Sequence, residues 1–350
     1  MADDSPRASD LPFLRRALIV VGVGALVAAL WLLSDVLLLV FGSVLIAVTL
    51  RALAAPLSTH FGLGERWALA IVGVLLLSAV TAAVLLFGAD LSVQMRGLSE
   101  QLSAAVKMLG ERLQMDSLAD LLKGENPATS IGAIVARVFA WSSTLLGMLA
   151  GLLLVLFGGI YLAVDPGLYR AGLVKLVPPA VQPNIEAALD DAGEALRRWL
   201  GAQVIAMVLV GTITGIGFWL VGLPSPLALG LIMGLAEFVP MVGPIVAAVP
   251  ALLLAAGQGW QTVLWALGII VVVQQLESNV ITPLVVGRTL AVAPAVALFA
   301  IVAMGVLFGP LGLLFGFPLA LVLDVAVRRL YVADTLGERV EIMGRPVKGS

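Results

Sequence analysis

Residues 236–250 read AEFVPMVGPIVAAVP. They sit inside an apolar stretch, 226–256, whose 31 residues would make about 46 Å of continuous helix at roughly 1.5 Å each. A bilayer core is only about 30 Å thick. In a continuous helix Pro240, Pro244 and Pro250 would each lack a donor and free the carbonyls of Ala236, Pro240 and Val246. Unpaired backbone groups at membrane depth persist only where protein or a water-filled cavity satisfies them. The stretch therefore predicts a broken segment, either one crossing with an interruption or a hairpin that dips in and returns.

The segment 293–327 has the same habit. Its 35 residues would make about 52 Å of helix, and LFGPLGLLFGFP at 307–318 interrupts them with Gly309, Pro310, Gly312, Gly316 and Pro318. Each broken segment is centred on a Gly-Pro pair, Gly243-Pro244 and Gly309-Pro310. Such pairs of broken apolar segments point to a transporter site, because helix ends and carbonyls become available to a solute. A charge in lipid costs roughly 2.5–3.5 kcal/mol on insertion scales and marks function by default. Glu237, between Ala236 and Phe238, is the clearest case, placed to hold a proton, a cation or a hydroxyl-rich solute beside the carbonyl expected to be free at Pro240. QQLESNVITP, 274–283, is the second polar cluster. Helical spacing puts Gln274 with Glu277 on one face and Gln275 with Asn279 on another. The expected pathway residues are Glu237, Pro240, Gly243, Pro244, Gln274, Gln275, Glu277, Asn279, Gly309 and Pro310. Asp324, four residues before Arg328, reads as an interfacial ion pair.

Working outward, 61% of the 350 side chains are apolar and 12% charged, against roughly 45–50% and about 25% in soluble proteins. The fold class is all-α, a polytopic helical membrane protein of about eight membrane segments. Candidate spans are 17–34, 36–55, 67–88, 139–163, 202–222, 226–256, 260–281 and 293–327, with a tight turn at Ser34 and Asp35 between the first two. Around them lie a tail at 1–16, the first three spans in 17–88, an extramembrane segment at 89–136, the fourth span in 137–164, a helical segment at 165–200, a transport core at 201–330 and a tail at 331–350. Arg7, Arg15, Arg16, Arg51, Arg66, Arg170, Lys175, Arg197 and Arg198 fall in loops assigned to the cytoplasm, which places both termini there.

In 89–136, Leu91, Met95, Leu98, Leu102, Ala105, Leu109 and Leu113 recur at helical spacing and predict one amphipathic helix. In 165–200, Asn184 is expected to cap a helix whose acidic first turns and basic end suit the macrodipole. The five Gly-x-x-x-Gly matches permit close helix packing without specifying a partner.

The chain has no cysteine and one histidine, His60, which excludes thiolate and multi-histidine metal or haem sites. No lysine follows a glycine, so a phosphate-binding P-loop is absent, and no cofactor is expected. The net charge of −2 and scattered cations offer no nucleic-acid surface. Partners are the lipid bilayer, a small polar solute, and protons or sodium.

The chain resembles the autoinducer-2 exporter family of bacterial permeases from about Arg15 to Leu330. The resemblance is carried by YLAVD with Tyr161 and Asp165, Pro178, Gly201 and Gln203, Gly222 and Pro224, EFVPMVGPIVAAVP, Gln275, Glu277, Asn279, Pro283, Gly287, Pro294 and LFGPLGLLFGFPLA. Met241 stands where the family often has an aromatic residue, and Ala293 where it often has histidine. The resemblance implies an eight-segment permease of the bacterial inner membrane, a homo-oligomer for which a pentamer is one suggested size, and export of autoinducer-2. It also implies an association with sodium/proton exchange. A secondary transporter is the first reading, a sodium/proton antiporter the second, and a non-transporting membrane scaffold the third. An intramembrane hydrolase lacks its residues: His60 is expected in a loop and Asp324 without a membrane partner.

Overall fold

A computed structural model describes residues 10–75, 78, 145–281, 293–337, 340–342 and 345–347. The expected amphipathic helix of 89–136 lies outside them, as do Thr282, Pro283 and Gly287. The described chain is helical apart from a small antiparallel pair, β1 (Val340–Ile342) and β2 (Arg345–Val347), near its end. Four described helices are long and apolar enough to cross a membrane, or five if a pair bent by 87° near Asp165 is one span.

Helix α1 (Asp10–Leu32) is followed by α2 (Ser34–Phe61). The break between them is a single turn residue, Leu33, with φ −93° and ψ 5°, so Ser34 and Asp35, expected in the turn, already belong to α2. Leu33 N–H bonds Ala29 O and Leu37 N–H bonds Leu33 O, each at 2.9 Å, closing the end of α1 and the start of α2. Neither Ser34 nor Asp35 is a turn-forming glycine or proline. Helix α2 ends at Gly62, whose φ of 63° suits the residue past a helix end. Helix α3 (Leu145–Val164) lies along α2, with Gly158 and Gly159 against Ser43 and Ile46. Arg51 reaches across to donate to Ala163 O at the α3 end (2.8 Å) and pairs with Glu65, placing a cation where the helix dipole favours one.

The 87° bend turns the chain into α4 (Pro166–Val174), capped by the Asp165 carboxylate, which accepts from Leu168 N–H at 3.1 Å. Arg170 ties α4 to the next helix through Asp190 at 2.8 Å. That helix, α5 (Gln182–Leu220), is continuous for 39 residues. It merges the polar segment before residue 200 with the span after it. Its start lies at Gln182, with Val181 as a cap lacking a side-chain bond. Asn184 is not the cap, because Pro183 already has the fixed φ suited to the first turn.

Helices α6 (Pro226–Ala236) and α7 (Val242–Gln258) resolve the first broken segment as a hairpin. Gln258 Nε2 donates to Gly222 O at 3.1 Å, so the chain leaves where it entered. Leu223, Leu229 and Met233 share a core with Ala247, Ala251, Leu254 and Ala255. Helix α8 (Trp260–Leu276) then runs back along α5, with Ile269 against Gly217, and ends in a π-helical turn, Glu277–Ile281. Exposed Trp219 and Trp260 sit at this end of α5, the pattern of an interfacial aromatic belt.

The second broken segment, α9 (Pro294–Ala326), is also a hairpin. Gly309 has φ 64° and ψ −145°, and a Cβ placed on Gly316 would lie 2.9 Å from Ile301 Cα. Fifteen residues of straight helix would separate those two by about 22 Å. Length and composition alone pass 295–333 as a single span, but the reversal at Gly309 folds it back. The chain then continues as a π-helix, Val327–Ala333, and Arg329 approaches Asp191 at 3.6 Å. The first hairpin thus returns to the carboxyl end of α5 and the second to its amino half. The two enter from opposite ends of one helix.

Close backbone approach holds α6 to α5. Gly234 packs on Gly211 and Met207 O, and Gly230 on Gly215 and Gly211 O. Two Gly-x-x-x-Gly pairs interlock with each other inside one chain, as membrane helices do when burial from water gives no driving force. A Cβ on Gly234 would sit 2.7 Å from Met207 O. Gly234→Leu is therefore expected to lower the thermal midpoint in detergent by several degrees. Gly193→Ala, with nothing within 4 Å, should leave it unchanged or raise stability by up to about 1 kcal/mol.

Candidate functional site

The tip of the first hairpin, 237–241, is a compact turn. Phe238 N–H bonds Leu235 O at 3.2 Å, Val239 N–H bonds Ala236 O at 3.0 Å, Val242 N–H bonds Pro240 O at 2.8 Å and Gly243 N–H bonds Val239 O at 2.9 Å. The carbonyls expected to be free at Ala236 and Pro240 are both taken by the turn. The Glu237 carbonyl takes no backbone N–H from the turn. Pro240 has no N–H, and the Val242 and Gly243 N–H groups are already used. Gln203, on α5, supplies the bond from its side-chain Nε2.

Glu237 is 2% exposed and faces the protein interior, and its Oε2 has no hydrogen-bond partner among the described residues. Its electrostatic neighbour is Glu277, at the π-helical turn after α8. Gln274 Nε2 donates to Glu277 Oε2 at 3.2 Å. Gln274 and Glu277 are half-buried, whereas Gln275 and Asn279 are exposed. Asn279 Nδ2 donates to Gln275 O at 3.0 Å. The two helical faces of this cluster thus separate: Glu277, bonded by Gln274, interacts with Glu237, and the Gln275 and Asn279 face bonds within itself.

Gly243 and Pro244 are buried at the start of α7. A Cβ on Gly243 would lie 1.7 Å from Ala236 O, so only glycine lets α7 fold back at this point. Met241, before it, has φ 67°, a strained conformation for a side-chain-bearing residue worth about 1–3 kcal/mol. Gly309 and Pro310 form the corresponding tip of the second hairpin, beside Phe308, whose ring lies 5.6 Å from Trp31. They build a tip of their own, and Pro310 is exposed. The aromatic rings of Phe238 and Phe317, one from each hairpin, both pack on Trp199 of α5, at 5.5 and 5.3 Å.

Sequence reasoning left Gln203 and Trp199 out of the site. Their signal was an amide in the first apolar turn of a span, one turn after a tryptophan. Asp324 does pair with Arg328, at 2.8 Å. Among the described residues there is no cluster of three or more metal-ligating side chains.

Residues 20–331 match the family described as AI-2E family transporter. The chain belongs to that family. It is 35% identical over 165 residues to "Putative transport protein YrrI" of Bacillus subtilis (strain 168), covering 47% of each protein. The chain thus spans about half the length of that relative. It is 27% identical over 340 residues to "Putative transport protein MT0215" of Mycobacterium tuberculosis (strain CDC 1551 / Oshkosh), covering 91% of this chain and 90% of the other. With "AI-2 transport protein TqsA" of Escherichia coli (strain K12) it shares 23% identity over 235 residues, 66% of this chain and 64% of the other. The chain is a helical membrane protein of a transporter family.

Because the Gly243 contact is with backbone, it cannot be relieved by a rotamer change. Gly243→Ala is expected to lower the thermal midpoint by at least about 3 °C. Gly268→Ala on α8, with open space around it, should not.

Proposed function

We propose that this chain is a secondary transporter of the bacterial cytoplasmic membrane that exports a small polar solute, with autoinducer-2 as the leading candidate. Transport proceeds by alternating access, and Glu237 carries the coupling proton or cation. The supporting observation is the buried Glu237 carboxyl, with its Oε2 unpartnered, at the tip of one of two hairpins that enter from opposite ends of α5. A carboxyl inside a membrane protein is a functional group by default, and broken helices expose polar backbone where solutes bind. The name of the Escherichia coli relative, an AI-2 transport protein, supports the choice of solute. Cytoplasmic termini and a homo-oligomer, for which a pentamer is one size, belong to the same proposal.

A second reading, sodium/proton antiport without an organic solute, is favoured by the proximity of Glu277 to Glu237. Two carboxylates from different elements suit a bound cation or shared proton.

The test is efflux from liposomes loaded with autoinducer-2, with and without an imposed proton gradient. Gradient-stimulated efflux is expected, falling at least tenfold in Glu237→Gln. Sodium-dependent proton movement without efflux would transfer the assignment to the antiporter. Neither activity would overturn both.

A further inference from the structure

Trp199 and Gln203 lie one helical turn apart on α5, on the same face, and they grip consecutive residues of the hairpin tip. Gln203 Nε2 donates to the Glu237 carbonyl, and the Trp199 ring meets Phe238 edge-on at 5.5 Å. Both side chains are buried, Trp199 at 3% and Gln203 at 8% exposure. Trp199 also meets Phe317 of the second hairpin and belongs to the same buried cluster as Leu196 and Leu200. The tip itself has weak grounds to stay put. It contains a strained Met241, a proline without an N–H, and a carbonyl its own turn does not satisfy.

We propose that Gln203 is the positioning residue of the site, fixing the hairpin tip against α5 so that the Glu237 carboxyl stays inside the protein. Trp199 backs it by seating Phe238. This deepens the reading of Glu237 as the coupling group and rests on it for its functional meaning. The physical claim concerns where the tip sits and is tested without transport. A side-chain amide suits the role because it bonds a neutral carbonyl without placing a charge next to Glu237, where a lysine or arginine would hold the carboxyl ionised. Replacing the amide by an apolar group of similar volume leaves a buried carbonyl unsatisfied, so the tip loses its reason to stay closed against α5 and opens to donors outside it.

The chain has no cysteine, so single cysteines report directly. Val239, in the tip, is 9% exposed, and Ala251, in the body of α7, is 0% exposed. Val239→Cys and Ala251→Cys are each made with Gln203 intact and with Gln203→Met, and the rate of reaction with a water-soluble maleimide is measured in detergent-purified protein of full length. The expected result is at least a tenfold faster reaction at position 239 in the Gln203→Met background, with position 251 protected in both. An unchanged rate at 239 would overturn the proposal. So would equal exposure of 239 and 251, since that reports loss of the hairpin and not release of its tip. Trp199→Phe, which keeps a ring against Phe238, is expected to leave 239 protected, and Trp199→Ala to expose it. Should Glu237→Gln transport normally while these labelling results hold, Gln203 still positions the tip and the coupling role of Glu237 alone fails.

Discussion

A backbone carbonyl inside a membrane must be given a hydrogen bond, and this requirement organises the carboxyl half of the chain. Breaking an apolar helix at Glu237 leaves a carbonyl for which lipid offers no donor. The turn uses its own N–H groups for Leu235, Ala236, Val239 and Pro240. The carbonyl of Glu237 is met from α5, by the Gln203 side chain. That bond and the packing of Phe238 on Trp199 set the tip against α5. Antiparallel packing of α6 then requires the backbones to approach closely, and glycines at 211, 215, 230 and 234 permit it.

The same constraint explains why a carboxyl can sit at the tip. Glu237 lies where the helix has already been interrupted and where protein surrounds it on the sides set by α5 and the turn after α8. The carboxyl is therefore placed against protein groups and not against acyl chains. The second hairpin reaches a comparable geometry by different means. A glycine with positive φ makes the reversal at 309, and Gly312 and Gly316 let the return arm press against Met304 and Ile301. Trp199 touches an aromatic residue from each hairpin, so a displacement of either is felt at the same ring.

Much of this was legible in the sequence, and the boundary has physical causes. Proline and glycine act on their own backbone, so the breaks near 240 and 309 could be read locally. Glu237 stood out because a carboxylate in an apolar run is costly anywhere in the chain. Whether a break continues or reverses depends on contacts between distant residues, such as Gln258 with Gly222 and Gly316 with Ile301, which no local pattern encodes. The glycine repeats failed as a signal because chance supplies nearly as many; only their registry against one another gives them meaning. The short separation between the first two apolar runs locates their junction to within a residue or two, and the break falls at Leu33, with Ser34 and Asp35 already in α2. Gln203 was visible as a polar residue in an apolar helix, but its partner is a backbone atom, and backbone atoms leave no trace in composition.

The central claim, that both broken segments are hairpins entering from opposite ends of α5, is tested most directly by the sidedness of single cysteines in sealed vesicles. Leu220, Trp260 and Tyr331 are well exposed, and Ala293 lies at the start of the second hairpin. A membrane-impermeant maleimide should label cysteines at 220 and 260 from one face, and cysteines at 293 and 331 from the other. Labelling of 220 and 260 from opposite faces would mean that 226–256 crosses the membrane, and would contradict the account.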